Sequence, residues 1–98
     1  MPLIFKDNTS INVDLPVSIL PFKITFFSIA NKNAGTTTVN LYVSDGVKNI
    51  SIVPQDLQLN EGDMLQGNTE QVMEVGNQIK ITTDGSIDYF ITIDNIPN

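Results

Sequence analysis

Apolar and polar residues alternate most regularly from Ile79 to Ile96, IKITTDGSIDYFITIDNI. Ile79 and Ile81 alternate with Lys80 and Thr82. Ile87, Tyr89, Ile91 and Ile93 alternate with Asp88, Phe90, Thr92 and Asp94. Successive strand side chains point to opposite faces, so each arm offers one apolar face and one largely polar face. Asp84-Gly85 between the arms is a strong hairpin signal, because both residues tolerate positive φ. The pattern predicts a terminal β-hairpin that closes a sandwich core, with the opposing sheet supplied by the earlier chain.

The rest of the chain reads as more short strands. Leu3 to Phe5 is apolar, and Ile11, Val13 and Leu15 alternate with Asn12 and Asp14. Residues 1–16 therefore read as an N-terminal arm or edge strand ending at Pro16, and residues 17–98 as one domain. Pro16 and Pro21 lack a ladder donor, which suits strand ends and edges. From Phe22 to Ala30 a strand places Phe22, Ile24, Phe26 and Ser28 on one face, and Lys23, Thr25, Phe27 and Ile29 on the other. Adjacent Phe26 and Phe27 make both faces apolar. Either one ring lies under a loop, or Phe27 and Ile29 face another subunit, since exposed apolar patches mark contacts.

Thr36 to Ser44 reads as a strand with Thr37, Val39, Leu41 and Val43 inward and Thr38, Asn40 and Tyr42 outward. Asp45-Gly46 is a second hairpin signal, returning through Val47 to Val53 and halting at Pro54. Leu57 and Leu59 precede the turn Asn60-Glu61-Gly62-Asp63. Met64 and Leu65, then Val72, Met73 and Val75, form short apolar segments around polar Gln66-Gly67-Asn68. Seven or eight short strands with frequent turns predict an all-β fold. An antiparallel β-sandwich, Ig-like or jelly-roll-like, is preferred, with a small closed barrel second.

Composition narrows the chemistry. Thirteen isoleucines, eight valines and nine threonines favour strands. Net charge is −6, with five lysines and no arginine. That disfavours nucleic-acid binding, which needs a basic footprint. No segment has the length of a membrane-spanning helix. MPLIFKDNTS lacks the long apolar run of a signal peptide, and the absence of cysteine fits cytosolic synthesis. Without histidine or cysteine, neither a Ser-His-Asp nor a Cys-His arrangement exists within the chain. Histidine- and thiolate-based zinc sites are excluded as well. The oxygen-rich turns at Asp84 to Asp88 and Asn60 to Asp63 lack the remaining ligands of a calcium loop. No catalytic residue, cofactor or metal is expected. Sugar-binding sandwiches present aromatic platforms, but there is no tryptophan here. Of the two tyrosines, Tyr42 reads outward and Tyr89 inward.

One larger pattern runs from about residue 17 to 96. A long strand enters from a proline (Pro21 to Ala30), and a threonine-rich strand (Thr36 to Val43) follows. Next come a strand ending near proline (Ile50 to Pro54) and the turn Leu59-Asn60-Glu61-Gly62-Asp63. An apolar segment (Val72 to Val75), Gly76-Asn77-Gln78-Ile79 and the alternating stretch Ile87 to Ile96 complete it. This resembles small β-sandwich accessory proteins of tailed-phage virions, of the capsid auxiliary or decoration type, including those of the crAss-like group. The resemblance implies a non-enzymatic structural protein. It would be made in the bacterial cytoplasm, reside on the virion capsid surface, and bind the major capsid protein or another virion component. It would be a homo-oligomer or lattice-bound. Head-fibre, neck or tail proteins and carbohydrate- or receptor-binding modules are the alternatives. The residues expected to make contacts are Leu3, Ile4, Phe5, Phe27, Ile29, Tyr42 and Phe90.

Overall fold

The computed structural model describes residues 3–18 and 21–95. Met1, Ile19, Leu20 and Ile96, which the patterns above touch, lie outside the described residues. Nine strands occur among those described: β1 (Leu3–Thr9), β2 (Val13–Asp14), β3 (Phe22–Asn31), β4 (Thr37–Ser44), β5 (Asn49–Ser51), β6 (Leu57–Leu59), β7 (Met64–Met73), β8 (Gln78–Thr83) and β9 (Ile87–Asn95).

They form two antiparallel sheets. One runs β1-β9-β3-β7; the other runs β2-β8-β4-β5, with β6 also paired to β4. β5 and β6 line the same edge of β4 in succession, opposite residues 42–44 and 37–39. They are one edge strand interrupted between Ser51 and Leu57. The interruption is anchored by Asn40 on β4. Its Oδ1 accepts from the Asp56 N–H at 2.7 Å, and its Nδ2 donates to Asp56 Oδ1 at 3.2 Å. Counted this way there are eight strands in two four-stranded sheets. The order β1-β9-β3-β7 facing β2-β8-β4-β5/β6 is the jelly-roll arrangement. An Ig-like sandwich groups its strands differently, and open edges remain, so the sheet is not a closed barrel.

This order corrects the terminal hairpin. β8 pairs with β2 and β4, whereas β9 pairs with β1 and β3. Asp84-Gly85 carries the chain from one sheet to the other. Gly85 is not in the left-handed φ region. It is needed for space: a Cβ there would lie 2.7 Å from Thr37 Oγ1. Alternation identifies the residues that face the core but not the layer they come from, and two facing arms satisfy it as well as two adjacent ones. Asp45-Gly46 is a true hairpin between β4 and β5. There Gly46 does take a left-handed φ of 93°, which a residue with a Cβ adopts only with strain.

The core lies between the sheets. Ile24, Ile29, Ile87, Ile91 and Met73 come from one layer, and Val39, Leu41, Ile79 and Ile81 from the other. The described part of the N-terminal region belongs to this body. β1 lies antiparallel to β9 from Leu3 opposite Ile93 to Thr9 opposite Ile87. Phe5, Val13 and Leu15 join the core.

β3 changes phase midway. Its register shifts against both neighbours between Ile24 and Phe26, as at a β-bulge. Phe22 and Ile24 point inward before the shift, and Phe27, Ile29 and Asn31 after it. Both apolar halves of the strand thus reach one core, which strict alternation would forbid. Phe26, Ser28 and Ala30 are turned outward.

Candidate functional site: an apolar strip on the β1-β9-β3-β7 sheet

The sheet β1-β9-β3-β7 turns one face to solvent. Its cross-strand register sets rows on that face: Ile4, Thr92, Phe26 and Asn68; then Lys6, Phe90, Ser28 and Gln66; then Asn8, Asp88, Ala30 and Met64. Phe26 and Phe90 are diagonal neighbours in adjacent rows. Their ring centroids lie 6.0 Å apart at 74°, an edge-to-face pair. Both rings are half-buried. Ile4 (54% exposed) and Met64 (57%) flank them on the outer strands. These apolar residues lie in adjoining rows, which distinguishes them from scattered surface hydrophobics.

A shallow depression of about 330 Å³ adjoins Phe90 and Met64, with Lys6 and Asp88 at its polar side. Asp88 is fixed from two directions. Asn8 Nδ2 donates to Asp88 Oδ1 at 2.7 Å, and Lys32 Nζ lies 3.6 Å from Asp88 Oδ2. Lys23 and Glu70 form a second exposed ion pair at 3.6 Å on the same sheet. Exposed pairs of this kind contribute little to stability. They restrict side chains around the strip rather than hold the fold.

The expected contact residues separate. Ile4 and Phe90 lie on the outer face and belong to the strip. The backbone of Leu3 pairs opposite Ile93; its side chain is outside the described set. Phe5 turns inward against the core. Phe27 and Ile29 require correction: they are 8% and 0% exposed, so they are core residues and present nothing to another subunit. The bulge is the reason, because it exchanges the faces of Phe26 and Phe27. Tyr42 is half-buried on the other sheet, opposite Ser51 and Lys80, so it cannot act with Phe90. Phe26, Ala30 and Met64 are further members of the strip; strict alternation places Phe26 on the face of Phe22 and Ile24. The signal for Phe26 was the Phe-Phe pair itself, since one of two adjacent rings must face outward unless the strand bulges between them.

The two ends of the sandwich differ. At one end the 45–48 loop, the 74–77 turn and Val17 surround a recess of about 390 Å³, with Val47 and Gly76 in its wall. Asp45 Oδ1 accepts from the Lys48 and Val47 N–H groups at 2.7 and 2.8 Å. These bonds, the one from Lys48 foremost, hold its pKa below the ordinary aspartate value. At the other end Asn31 is a saturated hub. Its Nδ2 donates to the carbonyls of Gly35 (2.7 Å) and Leu59 (2.9 Å), and its Oδ1 accepts from the Asn33 N–H (2.8 Å) and the Thr37 hydroxyl (3.0 Å). The acidic turns at this end serve the backbone. Asp84 Oδ1 accepts from the Thr38 N–H, and Asp63 Oδ2 from the Asn60 N–H. Among the described residues no three acidic side chains converge on a point that would hold a metal ion. Tyr89 faces inward beneath the strip; burial, and next the Asp7 carboxylate, push its pKa up.

No protein-family model matches the chain, and no curated protein matches it.

Proposed function

We propose that the protein is a non-enzymatic accessory component of a tailed-phage virion, most simply a capsid auxiliary protein that binds and stabilises the assembled head. One observation carries this reading: the apolar strip of Ile4, Phe26, Phe90 and Met64 lies open on a sheet face. An open strip suits a broad protein surface better than a small substrate. The jelly roll agrees with the reading but does not decide it, since the fold serves capsid and lectin domains among others. Binding alone would be the mechanism. A subunit that binds only the assembled shell stabilises it by mass action, and many copies on one lattice gain from multivalency.

The test is the copy number in purified particles relative to the major shell protein, by quantitative mass spectrometry. A near-stoichiometric ratio supports capsid decoration. A ratio of a few per cent moves the protein to fibre, neck or tail, and absence from particles overturns the reading. Phe90→Ser should abolish rebinding to stripped particles while leaving the fold intact.

A carbohydrate-binding module is the second reading, favoured by the depression where Phe90 adjoins Lys6 and Asp88. A glycan array that detects a ligand lost in Phe90→Ser would put that reading first.

A further inference from the structure

The four sheet edges are not alike. β2 has 2 residues and β5 and β6 have 3 each, too short to template another strand. β1 has 7 residues and carries Lys6 and Asp7. Short edges and edge charges, lysine above all, are the usual defences against edge-to-edge pairing. β7 has less of either: it carries one charge, Glu70, and its edge is interrupted only between Asn68 and Gln71, where it has one residue more than the facing stretch of β3. It runs 10 residues, Met64–Met73, with no lysine and no proline. Among the described residues it pairs only with β3. Exposure alternates along it, so the outward row is Met64, Gln66, Asn68, Glu70 and Val72.

That row is self-complementary about Asn68. In an antiparallel pair related by a two-fold axis, residues equally spaced about the axis face one another across the junction. With the axis at Asn68, the two Asn68 carboxamides meet, and each can donate to and accept from the other. Gln66 faces the partner's Glu70, an amide donor against a carboxylate. Met64 (57% exposed) faces the partner's Val72 (55% exposed), placing an apolar pair at each end. Neighbouring registers lose this. Slipping one strand by two residues moves the axis to Gly67, which sets Met64 against Glu70, or to Thr69, which sets Gln66 against Val72; an axis at Glu70 would set two carboxylates side by side. Val72 enters through its exposed side chain alone; the central ladder is made by residues 66–70.

We infer that two copies of the chain pair through β7, antiparallel and centred on Asn68, joining their β1-β9-β3-β7 sheets into one eight-stranded sheet. The two-fold axis runs perpendicular to that sheet, so both apolar strips lie on the same side of the dimer. This inference does not depend on the virion reading and is tested on purified protein.

The chain has no cysteine, so single-cysteine variants report the register directly. Directly opposite strand residues have Cβ atoms about 4.5–5.5 Å apart, close enough for a disulfide to form with little adjustment. Asn68→Cys should oxidise to a covalent dimer. Gln66→Cys and Glu70→Cys should each stay monomeric on gels when oxidised alone and should cross-link when mixed. In sedimentation equilibrium, Asn68→Lys should weaken the dimer by more than about tenfold, because like charges meet at the axis. Circular dichroism checks that each variant remains folded. Intact protein that stays monomeric at millimolar concentration overturns the inference. So does a dimer that cross-links equally at all three positions, or one that Asn68→Lys leaves unchanged. Particle copy number bears only on the virion reading, so the two can fail separately.

Discussion

The Phe27 ring lies over Gly67, its cross-strand partner on β7, where an added Cβ would come within 3.2 Å of two ring carbons. Gly67 leaves the space that lets the ring cover the strand backbone from the core side. Truncating Phe27 to alanine should therefore cost about 3–5 kcal/mol, the usual range for a buried phenylalanine. Phe26, one residue earlier, faces outward and is held mainly by its edge-to-face pair with Phe90. Phe26→Ala should cost far less, on the order of 1 kcal/mol for the ring pair plus a small burial term. Urea titration of the two variants checks this through the difference in midpoint at unchanged slope. Equal losses would mean that the phase of β3 does not turn over at the bulge. From the sequence, Phe22 and Ile24 are readable as sharing one face, but not as sharing it with Phe27 and Ile29. A bulge is one extra residue, and nothing in Ile24-Thr25-Phe26 marks it. Strict alternation thus sets Phe27 and Ile29 on the face opposite Phe22 and Ile24, and places Phe26 with the latter pair.

Asp45 opens the loop between β4 and β5, and its carboxylate takes the place of a backbone acceptor for two N–H groups. Those bonds are stronger to the ionised form, which is why the Asp45 pKa is lowered. The sign for stability follows. A depressed folded-state pKa contributes stability that is fully present above the ordinary aspartate value of about 3.9 and is lost as pH falls through the lower folded value. Asp45→Ala should thus be less stable than the intact chain by a constant amount near neutrality, with the gap closing below about pH 4. Thermal melts of both chains across the acid range measure this. A gap unchanged at pH 2 would mean that Asp45 acts through something other than its charge. Two Asp-Gly pairs look alike in sequence, yet only Asp45-Gly46 closes a hairpin. The difference lies in what the flanking strands pair with: β4 and β5 pair with each other, whereas β8 and β9 belong to opposite sheets, and no local pattern around Asp84 contains that information. β7 was obscured in another way. Gln66-Gly67-Asn68 reads as a break between apolar segments, but the ring of Phe27 supplies the inward apolar surface that Gly67 lacks.

Across the whole molecule, the sheet composition makes the N-terminal strand part of the sandwich. The inner-face alternation of nearly every strand is legible from the sequence, so the all-β sandwich is too. The pairing of β1 with β9 and of β2 with β8 is not, because the partners lie more than sixty residues apart and share no local signal. That long-range pairing decides what removal of the first ten residues does. The strip needs Ile4 at one margin, and the core needs Phe5. Fully burying a phenylalanine contributes roughly 1.5–3 kcal/mol; partly buried Phe5 contributes a share of that, and the whole ladder along β9 is lost with it. Small domains have only about 5–15 kcal/mol in total. Deleting residues 1–10 should therefore abolish cooperative thermal unfolding, seen as a broad, early loss of the circular-dichroism signal. Ile4→Ser in the full-length chain should keep the melt cooperative and weaken only binding through the strip. If the truncated chain instead melts cooperatively within a few degrees of the intact one, β1 adds little to the sandwich, and its surface residues are better explained by contacts with a neighbour.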